Sequence, residues 1–135
     1  MKKLIATLLL FFAVTLNAQS NGVAWYSTPI DSGETTTSTL DVEGDNLKLI
    51  SIFVDSTNWT SANLTMQSYN PIDQVWSNVL NDDGTAYTIT IGALTAPVEI
   101  ILKPYDMAGF EKVRFVSSVA QDVGAINIKP KLRPY

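Results

Sequence analysis

From residue 23 to residue 132, short stretches rich in β-branched and aromatic side chains alternate with clusters of Gly, Pro, Asn and Asp. No segment after residue 20 shows the three-to-four-residue apolar spacing of an amphipathic helix. Alternation with period two turns successive side chains to opposite faces, so such stretches read as strands. The pattern predicts strands over residues 23–30, 35–42, 47–54, 63–69, 75–80, 86–91, 98–102, 112–116 and 125–132. The threonine-rich 35–42 segment is the weakest and reads as a solvated edge strand. Eight or nine short, evenly spaced strands imply an all-β fold, an antiparallel β-sandwich or jelly roll.

Details of the pattern carry further expectations. Ile50, Ile52 and Val54 share one face by period two, with Leu47, Leu49 and Phe53 on the other. Asn70-Pro71-Ile72-Asp73 is a turn, because proline presets one dihedral and Asn and Asp bond their own backbone. Asn81-Asp82-Asp83-Gly84 is a hairpin signal, with Asp-Gly suited to a type I′ turn. Pro104 and Pro130 each mark a strand end or an edge strand, since proline brings no amide donor to a ladder.

Residues 1–18 have the form of a signal peptide or hydrophobic leader helix, leaving 19–135 as one β-sandwich domain. Lys2 and Lys3 precede a largely apolar run of 13 residues, Leu4 to Leu16, and Ala18 closes a small-residue cleavage site. A bilayer core needs roughly 17 to 25 residues, so membrane contact is expected only through residues 4–16 of an uncleaved leader. The formal charge is −4, and removal of a leader holding two lysines and no acid makes it −6. Such a domain lacks the basic footprint of nucleic-acid binding. Lys129, Lys131 and Arg133 form a basic ending that suits an acidic neighbouring surface or solvent.

The chain has no cysteine and no histidine. Transition-metal sites thereby lose their usual ligands, and Ser-His or Cys-His nucleophile pairs cannot be assembled. No cofactor and no metal are expected. Acid–base chemistry falls to carboxylates, of which Asp55, Asp73, Asp82, Asp83, Asp106 and Glu111 are the candidates. Most stand in turns, where a short polar side chain serves the backbone. The Asn81–Gly84 turn offers hard oxygens for calcium, but four residues supply only part of a six-to-eight-oxygen set. Trp59, Tyr69 and Tyr105 are the candidates for stacking on a ligand such as a sugar, and Trp76 reads as core. Asn58-Trp59-Thr60 and Asn63-Leu64-Thr65 match the short glycosylation acceptor pattern.

From Leu47 to Arg133 a string of segments recurs in a fixed order. Leu49-Ile50-Ser51-Ile52 leads to Asn58-Trp59-Thr60 and Ala62-Asn63-Leu64-Thr65-Met66-Gln67-Ser68. Val75-Trp76-Ser77-Asn78-Val79, Asp82-Asp83-Gly84, Ile100-Ile101-Leu102-Lys103-Pro104 and Lys112-Val113-Arg114-Phe115-Val116-Ser117-Ser118 follow, with Gln121 close behind. This order resembles small β-sandwich structural proteins of tailed bacteriophages, over about two-thirds of the chain. The resemblance implies a non-enzymatic virion component, a decoration or tail-associated protein. It would act through contacts with other virion or surface proteins in an oligomeric assembly. The secretory-type leader departs from that family and fits an exported, periplasmic or extracellular protein. The Trp and Gln-Ser ordering is also similar to discoidin-like sandwiches, which implies a secreted module binding carbohydrate or a surface.

Overall fold

The computed structural model describes residues 22–43, 46–55, 59–121 and 125–134. The leader, Asn58 of the first acceptor motif and the middle of the 43–46 turn lie outside them. The described residues form strands and no helix: β1 (Ala24–Trp25), β2 (Thr28–Ile30), β3 (Leu40–Asp41), β4 (Leu47–Val54) and β5 (Ala62–Asn70). They continue with β6 (Val75–Asn78), β7 (Thr88–Gly92), β8 (Val98–Asp106), β9 (Lys112–Ser117) and β10 (Ile126–Pro134).

The strands make two antiparallel five-stranded sheets. In sheet A, β1 and β2 lie end to end along one side of β10, followed by β4 and then β8. In sheet B, β3 pairs with β9 and β9 with β5, while β6 and β7 share the far side of β5. Inward side chains of both sheets meet in one apolar cluster. Ile30, Leu49, Ile52, Val54, Ile126, Ile128 and Leu132 come from sheet A, and Leu40, Leu64, Met66, Ile89, Val113 and Phe115 from sheet B. The architecture is β-sandwich-like. Burying each such side chain is worth about 1.5–3 kcal/mol, before the entropy of ordering is subtracted.

The expected 23–30 strand is two strands, and the cause lies in Pro130. That residue sits inside β10, a central strand, which corrects the expectation of an edge or an end. Its carbonyl accepts from the Tyr26 amide at 3.0 Å, so its nitrogen faces the same side, toward the gap between β1 and β2. The missing donor therefore falls where the neighbouring edge is interrupted. Pro104, by contrast, does lie in an edge strand, β8.

The facing of β4 departs from simple alternation. Leu47, Leu49, Ile52 and Val54 are all buried, while Ile50 is left without a partner in the ladders to both β10 and β8. This bulge shifts the phase by one residue, so Leu49 and Ile52 point inward together. The 35–42 segment also differs from a solvated edge. Thr37 is buried, exchanges hydrogen bonds with Phe115 at 2.9 Å, and bridges to Ile30 of the other sheet. Only Leu40–Asp41 of that segment is strand.

At the 81–84 hairpin, the Gly84 amide donates to the Asn81 carbonyl at 2.9 Å and the Asn81 amide to Thr85 at 2.8 Å. Gly84 has φ +81°, whereas Asp82 and Asp83 keep negative φ. A type I′ turn needs two positive φ angles, so this is a type I turn closed by a glycine bulge.

Candidate functional site

The three stacking candidates stand in three different settings. Trp59 is 9% exposed and belongs to the core, and its Nε1 donates to the Gly92 carbonyl at 2.8 Å. No ring face is offered to a ligand there, which corrects the expectation that Trp59 stacks on one. The polar neighbours of Trp59 in the chain give no sign of this, because the ring is claimed by the end of β7.

Tyr69 lies on the outward face of sheet B, out of phase with the buried Leu64 and Met66 of the same strand. It stands opposite Trp76, with ring centroids 5.2 Å apart. Trp76 is therefore a half-buried surface residue and not core as expected. The Arg114 guanidinium covers its ring at 4.3 Å, and the Lys112 Nζ lies 5.6 Å from the Tyr69 centroid. Arg114 Nε donates to Gln67 Oε1 at 2.9 Å, and Gln67 Nε2 to Asn78 Oδ1 at 3.0 Å. Partial burial lowers the Arg114 pKa from its ordinary value, without approaching neutrality at any physiological pH.

A second aromatic face went unread in the sequence. On the outside of sheet A, Trp25 and Phe53 meet edge to face at 6.5 Å and, with Lys129, line a cleft of about 340 Å³. Lys131 lies 4.7 Å from the Trp25 centroid and Lys129 5.4 Å from that of Phe53. Lys131 also pairs with Glu99 at 3.3 Å, and Glu99 accepts from the Ser51 hydroxyl at 2.7 Å. These bonds, Ser51 foremost, lower the Glu99 pKa. Lys129, Lys131 and Arg133 thus stand on β10, an inner strand of sheet A. The available signal was Phe53, one residue out of phase with Ile52 and Val54.

Tyr105 borders a cleft of about 540 Å³ between β8 and the 81–84 hairpin, lined also by Tyr87, Lys103, Asp82, Asp83 and Asp106. Its ring is flanked by Tyr87 at 4.6 Å and Phe110 at 6.5 Å, and its hydroxyl donates to the Leu80 carbonyl at 3.2 Å. It ties the edges of the two sheets together. Burial raises the pKa of both tyrosines, with Asp82 adding to the effect on Tyr105.

Most candidate carboxylates serve nearby chain. Asp83 accepts from the Thr85 hydroxyl at 2.6 Å and the Thr85 amide at 2.9 Å, Asp106 from the Ala108 amide at 2.9 Å, and Asp73 from Asn70 at 2.8 Å. Glu111 pairs with Lys112 at 3.6 Å. The Thr85 bonds hold the Asp83 pKa below its ordinary value, the opposite of what a general acid needs. Among the described residues, no three acids are grouped so as to hold a metal ion. The structure thus brings Tyr105 together with Asp82, Asp83 and Asp106, and leaves Tyr69 on another face and Trp59 in the core. The chain matches no protein-family model, no curated protein and no solved structure.

Proposed function

We propose that the chain is a non-enzymatic structural component of a phage virion, a decoration or tail-associated protein that works through contacts with other subunits. The observation that carries this reading is the display of aromatic side chains against cations on two open sheet faces. Trp25 and Phe53 lie with Lys129 and Lys131 on one, and Tyr69 and Trp76 with Lys112 and Arg114 on the other. Trp, Tyr, Phe and Arg are the residues in which protein interfaces are enriched.

The strand order supports a jelly-roll reading of the fold. The chain steps between sheets from β2 to β5 and again from β7 to β10, leaving β2-β10-β4-β8 in one sheet and β3-β9-β5 with β6 and β7 in the other. That winding suits a protein whose loops and faces are its working parts. Mass spectrometry of purified particles tests the proposal. The protein is expected at a fixed copy ratio to other virion proteins, and its absence from the particles overturns the reading.

A second reading, an exported module that binds carbohydrate or a surface, is favoured by one observation. Tyr69 and Trp76 form a half-buried aromatic pair on the outward face of sheet B, edged by the polar groups of Gln67 and Asn78. A glycan array with the wild type and Tyr69→Ala separates the two readings. Binding lost in the variant supports the module, and no binding by the wild type removes it.

A further inference from the structure

The margins of the two sheets are unequal. Sheet A ends on one side in short β1 and β2, and sheet B in the two-residue β3 and in β6 and β7. The remaining margin is β8, nine residues long, which among the described residues pairs with β4 alone. Its exposure alternates without a break from Val98 to Lys103: Glu99, Ile101 and Lys103 are exposed, and Ile101 is 76% so. The intervening Ile100 and Leu102 pack against the core. An exposed apolar edge of this kind is a template for another strand.

We propose that β8 pairs antiparallel with β8 of a second copy, with Ile101 on the two-fold axis. This names one partner for the subunit-packing reading and rests on it. In that register Glu99 stands opposite Lys103 of the second copy, Lys103 opposite Glu99, Ile101 opposite itself, and Ile100 opposite Leu102. Opposite charges and apolar pairs at facing positions favour a register, and like charges oppose it. A slip by one residue turns exposed side chains against core-facing ones, and a slip by two sets Glu99 against Ile101 or Tyr105.

Two features of β8 fit this use. Both intramolecular bonds of Glu99, from Ser51 and from Lys131, end on Oε1, so Oε2 remains to accept from an ammonium across the axis. Pro104 follows Lys103 directly, and the alternation of exposed and core-facing side chains stops there, which limits the matched stretch to five residues. Lysine and proline often guard an edge against pairing. Here the anion four residues before Lys103 turns the guard into half of a matched pair.

The test is analytical ultracentrifugation of the full chain, expressed with its leader so that any processing occurs, over a wide concentration range. A reversible dimer is expected. Lys103→Glu places two acids opposite each other at both ends of the pairing and raises the dissociation constant by about tenfold or more. The double variant Glu99→Lys with Lys103→Glu restores opposite charges and brings the constant back toward that of the wild type. Hydrogen exchange on the wild type gives a second readout needing no variant, with protection of the 99–103 amides rising with protein concentration. A chain monomeric throughout, a dimer indifferent to Lys103→Glu, or no recovery in the double variant overturns the proposal. Particle mass spectrometry is independent of all three, so failure of the edge pairing and failure of the virion reading are told apart.

Discussion

Gln121 and Thr60 grip each other through both ends of a carboxamide: the Thr60 amide donates to Oε1 at 2.8 Å, and Nε2 donates to the Thr60 carbonyl at 3.2 Å. Gln121 is wholly buried, and its Nε2 also reaches Ser117 Oγ and the Val119 carbonyl at 3.0 and 3.1 Å. Its backbone meets Gly33 and Glu34. One side chain thereby stitches the approach to β5 onto the end of β9. Leucine at this position would leave the Thr60 amide and carbonyl without partners. Gln121→Leu is expected to cost about 3 kcal/mol, read as a lower urea midpoint at unchanged slope. Gln121→Glu should cost more, because it buries a charge and removes the donors.

Trp59 is expected to behave as a core residue under substitution. Trp59→Phe retains most of the apolar contact but loses the bond to Gly92, at a cost of about 1–2 kcal/mol. Trp59→Ala opens a cavity and costs about 3–5 kcal/mol. Urea unfolding measures both. The emission of Trp59, isolated by replacing Trp25 and Trp76 with Phe, should be blue-shifted in the native state.

The bulge in β4 makes neighbouring apolar residues unequal. Leu49 has no solvent exposure, whereas Ile50 is half-buried and unpaired in both ladders. Leu49→Ala should cost about 3 kcal/mol and Ile50→Ala less than half as much. A larger cost for Ile50→Ala than for Leu49→Ala would mean that β4 keeps unbroken alternation in solution, with Ile50 inward beside Ile52 and Val54.

Acid should destabilise the fold through carboxylates that are better bonded in the native state. Asp83 and Glu99 both have pKa values below their ordinary ones, from hydrogen bonds donated by Thr85 and Ser51. A group with a depressed folded pKa contributes stability above its unfolded value and loses it as pH falls through the folded value. The melting temperature is therefore expected to drop as pH is lowered from about 5 toward 2. Asp83→Asn keeps the acceptor oxygen without a titration, so its melting temperature should fall less steeply over that range.

Much of the fold was legible because burial on one face imposes period two on the chain. Residues 63–69 and 112–116 read as strands on that ground and are strands within a residue or so, whereas 47–54 is the strand expected but with its facing shifted at Ile50. What escaped depended on partners remote in sequence. Pro130 reads as a strand breaker until Tyr26 is beside it, with the break between β1 and β2 facing its nitrogen. Thr37 reads as solvated until Phe115 takes up both its backbone and its hydroxyl. The aromatic residues were the least legible. Trp59 and Trp76 exchanged their expected roles, because a ring's surroundings follow from the phase of its strand and from what crosses it, and hardly from adjacent residues.

The placement of β10 has a consequence for how the molecule comes into being. This strand is the middle of sheet A, and it joins segments about a hundred positions apart, as in the bond from the Thr28 hydroxyl to the Ile128 carbonyl. Until residues 126–134 have left the ribosome, β1, β2 and β4 have nothing to pair with between them. Closure over such a span is slow, in the millisecond-to-second regime of proteins dominated by distant contacts. Sheet A therefore becomes continuous only when β10 enters the gap between β4 and the two short strands β1 and β2.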